Sequence, residues 1–329
     1  MAIVDRLARN ELFEHFTAAN LARLSDCLVE RKIKGGSFVV KKGDDGSDAF
    51  LIERGGVRIQ SQTPYGQYAL AILTSGELFG EASFVDSGAR SSDVWAPNDC
   101  ELLALPALAL GEMADADPLF ATALYWTFWR SLSLKLRRTN DKIAKFFASG
   151  VAPKRGQVDA ARPLSGTFRV DLRQKRDLFS EQKLSSMEIN LLSSLSKERK
   201  LKPGDALFHE GDEGDAMYIV LDGRVRISKH IPGAGEEALA ILERGDYFGE
   251  MALIDRQPRS AEAKAHDADG AVVLMIPKDV VEGLLDIRKV SSVRLLKILC
   301  ALLSHRLREI DEKLVTWFIL AGGDVPEIR

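Results

Sequence analysis

The sequence predicts a mainly β chain of the α+β class, built as two copies of one small antiparallel roll domain, each closed by a long helix. Three observations predict it. The 329 residues repeat themselves at an interval of about 170 residues. Within each copy, short apolar runs are punctuated by Gly and Asp turns, the rhythm of a compact β roll. Each set of strands then gives way to a long segment with apolar residues every three or four positions.

In chain order, each copy begins with a short helical lead, carrying Leu21, Leu24 and Leu28 in copy one and Ile189, Leu192 and Leu195 in copy two. A turn-rich entry to the roll follows. Lys34-Gly35-Gly36-Ser37-Phe38-Val39-Val40-Lys41-Lys42-Gly43-Asp44-Asp45-Gly46 aligns with Lys202-Pro203-Gly204-Asp205-Ala206-Leu207-Phe208-His209-Glu210-Gly211-Asp212-Glu213-Gly214, glycines in register. Next come the strand runs Phe50-Leu51-Ile52 and Tyr218-Ile219-Val220, then Val57-Arg58-Ile59 and Val225-Arg226-Ile227. Ala71-Ile72-Leu73 matches Ala240-Ile241-Leu242, and Phe79-Gly80-Glu81 matches Phe248-Gly249-Glu250. Between the copies, Gly150, Pro153, Gly156, Pro163 and Gly166 with scattered Lys and Arg give linker composition. The expected organisation is domain 1 over 1–148, a linker over 149–176 and domain 2 over 177–329.

Composition narrows the class. Hydrophobic residues at 46% and charged residues at 28% exclude disorder. Forty-five basic and forty-eight acidic residues leave a net charge of −3, so nothing in the total points to a polyanion partner. The three cysteines, Cys27, Cys100 and Cys300, are far apart and form neither a zinc framework nor a disulfide scaffold. The expected setting is a reducing cytoplasm, with no signal peptide and no membrane span.

The segment richest in chemistry in copy two runs Phe248-Gly249-Glu250-Met251-Ala252-Leu253-Ile254-Asp255-Arg256-Gln257-Pro258-Arg259-Ser260. A Gly where a strand gives way to a short helix allows close backbone approach, and the helix start presents N–H groups to an anion. Arg259 supplies a fork of donors for phosphate, and Ser260 a hydroxyl. Glu250 is repelled by phosphate and suits a neutral donor such as a ribose hydroxyl. Copy one reads Phe79-Gly80-Glu81-Ala82-Ser83-Phe84-Val85-Asp86-Ser87-Gly88-Ala89-Arg90-Ser91. Its Glu, its Arg and their spacing survive. The bland alternative is that Glu and Arg simply pair to hold the fold.

These segments resemble the phosphate-binding cassette of the cyclic-nucleotide-binding domain family, which includes the catabolite activator protein and the regulatory subunits of cyclic-AMP-dependent protein kinase. The resemblance implies two double-stranded β-helix (jelly-roll) domains that bind a cyclic nucleotide. It assigns the ribose to Glu81 and Glu250 and the cyclic phosphate to Arg90 and Arg259. Phe79, Gly80, Ala82, Ser83 and Ser91 complete the expected site in domain 1, and Phe248, Gly249, Met251, Ala252 and Ser260 that in domain 2. Arg-Ser rather than Arg-Thr favours cyclic AMP, with cyclic GMP the alternative. No other cofactor is implied.

The closing segments carry apolar seams: Leu132, Leu136, Thr139, Ile143 and Phe146 in copy one, and Leu296, Cys300, Leu303, Leu307, Ile310, Leu314 and Trp317 in copy two. In the catabolite activator protein the matching helices pair across a dimer and a polar pair on them contacts adenine. By resemblance that pair falls on Thr139 and Asn140 in copy one and on Ile310 and Asp311 in copy two. The expectation is that the closing helices pair, within one chain or in a homodimer, and within one chain Asn140 would cap the nucleotide of copy two. Tyr125, Trp126, Trp129 and Trp317 read as core or interface residues rather than base-stacking ones.

Output modules are not seen. Phe318 to Arg329 is too short for a helix-turn-helix domain, so no direct DNA binding is expected. Ser180-Glu181-Gln182-Lys183 and Ser194-Leu195-Ser196-Lys197 fit Ser-x-x-Lys without the companion motifs of that hydrolase class. The basic clusters Lys135-Leu136-Arg137-Arg138 and Arg173-Gln174-Lys175-Arg176 read as solvated faces. The expected protein is a receptor, not an enzyme, that signals through an unknown effector protein. The alternatives are a ligand-free scaffold and a regulator of transcription acting through another factor.

Overall fold

Alternating buried and exposed residues along short strands fold each copy's apolar runs into a roll of two facing antiparallel sheets. The computed structural model describes residues 2–86, 88–148, 186–231, 235–286 and 292–323, so the expected linker over 149–176 lies outside the described residues. Two compact units result: unit 1 comprises Met1–Thr139 and Ile287–Arg329, and unit 2 comprises Asn140–Asp286.

Unit 1 opens with α1 (Ile3–Ala8) and α2 (Ala18–Cys27). Thr17 caps α2 by accepting from the Asn20 N–H at 3.2 Å, and Leu21 and Leu24 face inward. The roll follows as β1 (Val29–Ile33), β2 (Ser37–Val40), β3 (Ala49–Arg54), β4 (Gly56–Thr63), β5 (Gly66–Thr74), β6 (Leu78–Phe79), β7 (Asp93–Ala96) and β8 (Cys100–Leu105), with α3 (Glu81–Asp86) between β6 and β7. One sheet runs β1-β8-β3-β6 and the other β2-β7-β4-β5. Ile52, Val57, Leu73, Phe79, Val94 and Leu102 fill the space between them.

Two further helices close the first stretch, α4 (Ala107–Ala116) and the 31-residue α5 (Pro118–Ala148). Leu124, Phe128, Leu132 and Leu136 form the buried stripe of α5, an amphipathic helix stabilised by what it covers.

Unit 2 repeats the plan. It has α6 (Ser186–Leu195), β9 (Lys197–Leu201), β10 (Ala206–Phe208), β11 (Ala216–Gly223), β12 (Val225–Ile231), β13 (Gly235–Leu242), β14 (Tyr247–Phe248), α7 (Met251–Asp255), β15 (Glu262–Ala265), β16 (Ala271–Pro277) and α8 (Lys278–Leu284). Its sheets run β14-β11-β16-β9 and β10-β15-β12-β13, around Phe208, Tyr218, Val220, Val225, Phe248 and Val273. Of its helical lead, Leu192 is buried, whereas Leu195 is exposed at the end of α6.

The last helix, α9 (Ser292–Leu320), departs from the expected organisation. It follows unit 2 in sequence but belongs to unit 1. Its seam is covered there: Leu296, Cys300, Leu303 and Leu314 are fully buried, and the Phe318 ring packs tilted against Tyr68 of β5 at 4.5 Å. The Cys300 thiol donates to the Tyr125 carbonyl of α5 at 3.3 Å, and Lys297 lies over the Tyr125 ring. The closing helices thus meet within the chain. Trp129 is fully buried and Trp126 stacks on His15, the packing roles expected of these aromatics.

Candidate functional site

In copy one the site is built where β6 runs out. Gly80 turns the chain at φ +83°, a left-handed conformation that a side chain disfavours. A Cβ there would lie 2.8 Å from both the Asp48 carbonyl and the Arg90 guanidinium. Through this gap Arg90, 7% exposed, donates to the Asp48 carbonyl at 2.8 Å and to the Gly80 carbonyl at 3.4 Å. Its own backbone is pinned to the preceding turn, the Arg90 N–H donating to Asp44 O at 3.1 Å and the Gly43 N–H to Arg90 O at 2.9 Å. Phe50 lies beneath the guanidinium at 5.7 Å.

Copy two builds the same cradle. Gly249 turns at φ +77°, and Arg259, 4% exposed, donates to the Gly249 carbonyl at 2.5 Å and the Ala216 carbonyl at 2.8 Å. Arg259 N–H meets Asp212 O, and Gly211 N–H meets Arg259 O. The guanidinium stacks over Phe208 at 4.3 Å and reaches the exposed carboxylate of Asp215 at 3.3 Å. Burial lowers both arginine pKa values; nearby carboxylates, and Tyr218 for Arg259, oppose it.

Neither arginine pairs with its cassette glutamate. Glu81, 1% exposed, accepts instead from the Ser131 hydroxyl at 2.8 Å and from the Lys135 ammonium, both on α5. Glu250 is equally buried, at 2%. The expected alternative of a Glu–Arg pair holding the fold is therefore not what the side chains do. The expectation that Lys135 lies on a solvated face is also corrected: its side chain is 15% exposed and is spent on Glu81.

The remaining expected residues divide. Phe79, Phe248, Met251, Ala252 and Ser83 are buried around the cassettes, and Ala82 is half-buried. Ser260 is half-buried with its hydroxyl 4.0 Å from the Met251 sulfur, whereas Ser91 is exposed and its neighbour Ser92 is buried. Thr139 and Asn140 are both buried in the C-terminal third of α5, Thr139 counting with unit 1 and Asn140 with unit 2. The Asn140 Oδ1 has no hydrogen-bond partner among the described residues. Next to it, Asp141 accepts from Lys229 of β12 at 2.7 Å, and the same ammonium reaches Glu210 at 2.8 Å and the Ser260 carbonyl at 3.3 Å. This end of α5 therefore reaches the residue that follows Arg259. Asp311, expected with the second cassette, lies instead in unit 1. It adds to the burial that pushes the Tyr68 pKa up to about 12.

Sequence reasoning missed several participants. Ser131 and Lys135 were legible only as an i, i+4 pair on one helix face. The Asp48 and Ala216 carbonyls carry no sequence signal. Asp86 at the end of α3 is gripped by α9, through Ser304 at 3.3 Å and Arg308 at 2.8 Å, and Arg308 also donates to the Ala89 carbonyl at 3.4 Å. Phe84 of α3 packs edge-on against Phe128 and Tyr125 of α5. Among the described residues no cluster suits a metal ion, and no helix is long and apolar enough to cross a membrane.

A sequence profile described as the cyclic nucleotide-binding domain matches residues 30–117 and 198–288, more than half of the chain. The chain is similar to cGMP-dependent protein kinase 2 of Mus musculus, 22% identical over 274 residues, which is 83% of this chain and 29% of the kinase. It is similar to the cAMP-dependent protein kinase regulatory subunit of Yarrowia lipolytica, 25% identical over 272 residues, covering 80% of this chain and 56% of that protein. It is also similar to the Cyclic AMP receptor protein of Thermus thermophilus, 37% identical over 131 residues, covering 40% of this chain and 58% of that protein. The chain thus spans less than a third of the kinase's length and little more than half of the regulatory subunit's.

Proposed function

The chain belongs to the cyclic nucleotide-binding domain family, and from that premise we propose that it is a cytoplasmic receptor for cyclic AMP that acts by binding rather than catalysis and signals through a protein partner. The observation that carries this reading is the pair of buried guanidiniums, each cradled by two carbonyl oxygens beside a left-handed glycine and neither matched to its cassette glutamate. A buried cation balanced mainly by carbonyl dipoles is costly, and an anion completes it. A cyclic phosphodiester brings that anion, and Arg90 and Arg259 can each turn part of the fork to it. Glu81 and Glu250, as carboxylates, accept from the ribose hydroxyl.

Asn140 supports adenine over guanine in copy two. Its Oδ1, buried and unpartnered among the described residues, is an acceptor. Adenine offers an exocyclic amine as donor, where guanine presents an oxygen acceptor. Arg259-Ser260 and Arg90-Ser91 support the same ligand by resemblance.

In copy one the Ser131 and Lys135 contacts to Glu81 favour a second reading, a cassette latched to α5 that holds no nucleotide. Calorimetry with cyclic AMP and cyclic GMP separates these readings. The parent is expected to bind two equivalents of cyclic AMP more tightly than cyclic GMP, Arg259→Ala one equivalent, and Asn140→Leu to narrow the gap between nucleotides. Silence of Arg259→Ala with both nucleotides would assign the latched reading to copy one. Silence of the parent would leave a ligand-free scaffold.

A further inference from the structure

The outer face of the sheet β2-β7-β4-β5 carries a row of side chains that the roll does not require. Phe38, Trp95, Arg58 and Ile72 are successive cross-strand partners spanning all four strands. They alternate with the inward residues Val57, Leu73, Val94 and Ala96, each 5% exposed or less. Phe38 is 39% exposed and Ile72 56%, with Trp95 and Arg58 half-exposed between them. Two cations are laid on the row's aromatic rings: Arg58 over Trp95 at 5.6 Å and Lys41 over Phe38 at 5.3 Å. Among the described residues no ion pair of Arg58 or Lys41 is seen, and what each cation meets is the ring beneath it.

The second copy supplies the control. There the same row reads Ala206, Lys264, Arg226 and Ile241. Its cations are neutralised within the sheet: Arg226 pairs with Glu236 at 2.7 Å, and Lys264 with Glu236 at 2.5 Å and Glu262 at 2.8 Å. In copy one the register puts Gln67 where Glu236 stands and Asp93 where Glu262 stands, and Asp93 is spent on the Lys42 N–H. The same fold therefore closes without aromatics and with its charge balanced. Copy one has exchanged an alanine and a lysine for two aromatics and given up the acid that balanced its arginine. Cross-strand and cation–π contacts account for packing within the row. They do not account for apolar area left in water beside cations with no carboxylate.

We propose that this row is the docking surface for the effector, and that its partner is a protein segment carrying carboxylates next to an aromatic or aliphatic side chain. The apolar residue lies between Phe38 and Trp95 or over Ile72, and the carboxylates meet Arg58 and Lys41. Charge complementarity selects this occupant over a basic or a purely apolar one. The proposal rests on the effector proposed above but not on nucleotide binding, because the cassette's Arg90 and Glu81 make their hydrogen bonds elsewhere, to Asp48, Gly80, Ser131 and Lys135.

The test is selection from a displayed library of random twelve-residue peptides on the full-length chain. Enriched sequences are expected to combine Asp or Glu with Phe, Trp or Leu, and to shift amide resonances of β2, β4, β5 and β7. A resynthesised peptide is expected to bind the Lys41→Glu/Arg58→Glu chain at least about tenfold more weakly, to lose affinity for Phe38→Ser, and to bind Arg226→Glu like the parent. Thermal midpoints matching the parent's show that these variants are folded. No acidic enrichment, unchanged affinity for the charge-reversed chain, or an equal loss with Arg226→Glu would overturn the proposal.

Discussion

Replacing Arg259 or Arg90 by Met separates a ligand-binding arginine from a structural pin. Met keeps an apolar stem over Phe208 or Phe50 and removes the charge. In the nucleotide-free chain two effects oppose each other. Arg259 gives up hydrogen bonds to Gly249 and Ala216, each worth about 1.5–3 kcal/mol for a charged donor. Against that, a guanidinium only 4% exposed no longer has to be held out of water, a relief of several kcal/mol. The balance is expected within about 2 kcal/mol of zero. With ligand there is no such cancellation. Truncating one partner of a buried charge pair costs about 2–5 kcal/mol, a 30-fold to several-thousand-fold loss of affinity. Cyclic AMP at a hundred times its dissociation constant stabilises a parent site by about 2.7 kcal/mol, and that gain should vanish at the substituted site. Thermal denaturation of parent, both single variants and the double variant, with and without cyclic AMP, measures both quantities. A double variant that keeps its ligand-induced rise, or a nucleotide-free chain destabilised by more than about 4 kcal/mol, would refute the reasoning.

Gly249→Ala and Gly80→Ala each force a side chain into a left-handed turn, at a cost of about 1–2 kcal/mol, and push a Cβ against the guanidinium. Denaturation and calorimetry together should show lost stability accompanied by weakened nucleotide binding. The Arg308–Asp86 pair is half-buried, so a double-mutant cycle with Arg308→Ala and Asp86→Ala should return a coupling of about 0.5–1 kcal/mol in thermal stability. A coupling of zero would detach α9 from the cassette. Lys229 gives a pH signature. Burial pulls its pKa down, but hydrogen bonds to Asp141 and Glu210 outweigh burial and leave it raised. A raised folded pKa means the cluster's contribution is complete below the unfolded value of about 10.4. It is lost as pH rises through the folded value. The melting temperature of the parent should therefore fall more steeply above about pH 10.5 than that of Lys229→Met.

What the sequence disclosed follows from which groups carry identity. The repeat, the turn glycines and the cassette arginines were legible because a left-handed turn needs Gly and a buried fork needs Arg. The cradle that holds those arginines was not, because Asp48 and Ala216 contribute only carbonyls, which every residue has. Lys135 read as a surface charge because a basic cluster on a helix is usually solvated, and only the fold brings Glu81 within its reach. The apolar seam of α9 announced a buried face without saying what would bury it. Leu303 and Ile310 fit that role equally well against either roll, and the cover turned out to be unit 1.

On the proposed receptor reading, the attachments of α3 give ligand capture in copy one a route to the closing helices. Six residues are too few for a helix to hold itself together, so its position is set by what it touches. Gly80 fixes its start against Arg90, Glu81 ties it to Ser131 and Lys135, Phe84 wedges it against Phe128, and Asp86 ties its end to Arg308. A ribose hydroxyl that claims Glu81 competes directly with the α5 contacts. A phosphate that claims Arg90 loosens the guanidinium from the Gly80 carbonyl. Each exchange would change the contacts that hold α3 to α5 and α9, which is the differential affinity a population shift requires. On that reading the short helix is the element through which nucleotide and closing helices would act on each other. Substitutions at Ser131 or Lys135 should change the nucleotide affinity of copy one while leaving its phosphate contact chemistry intact.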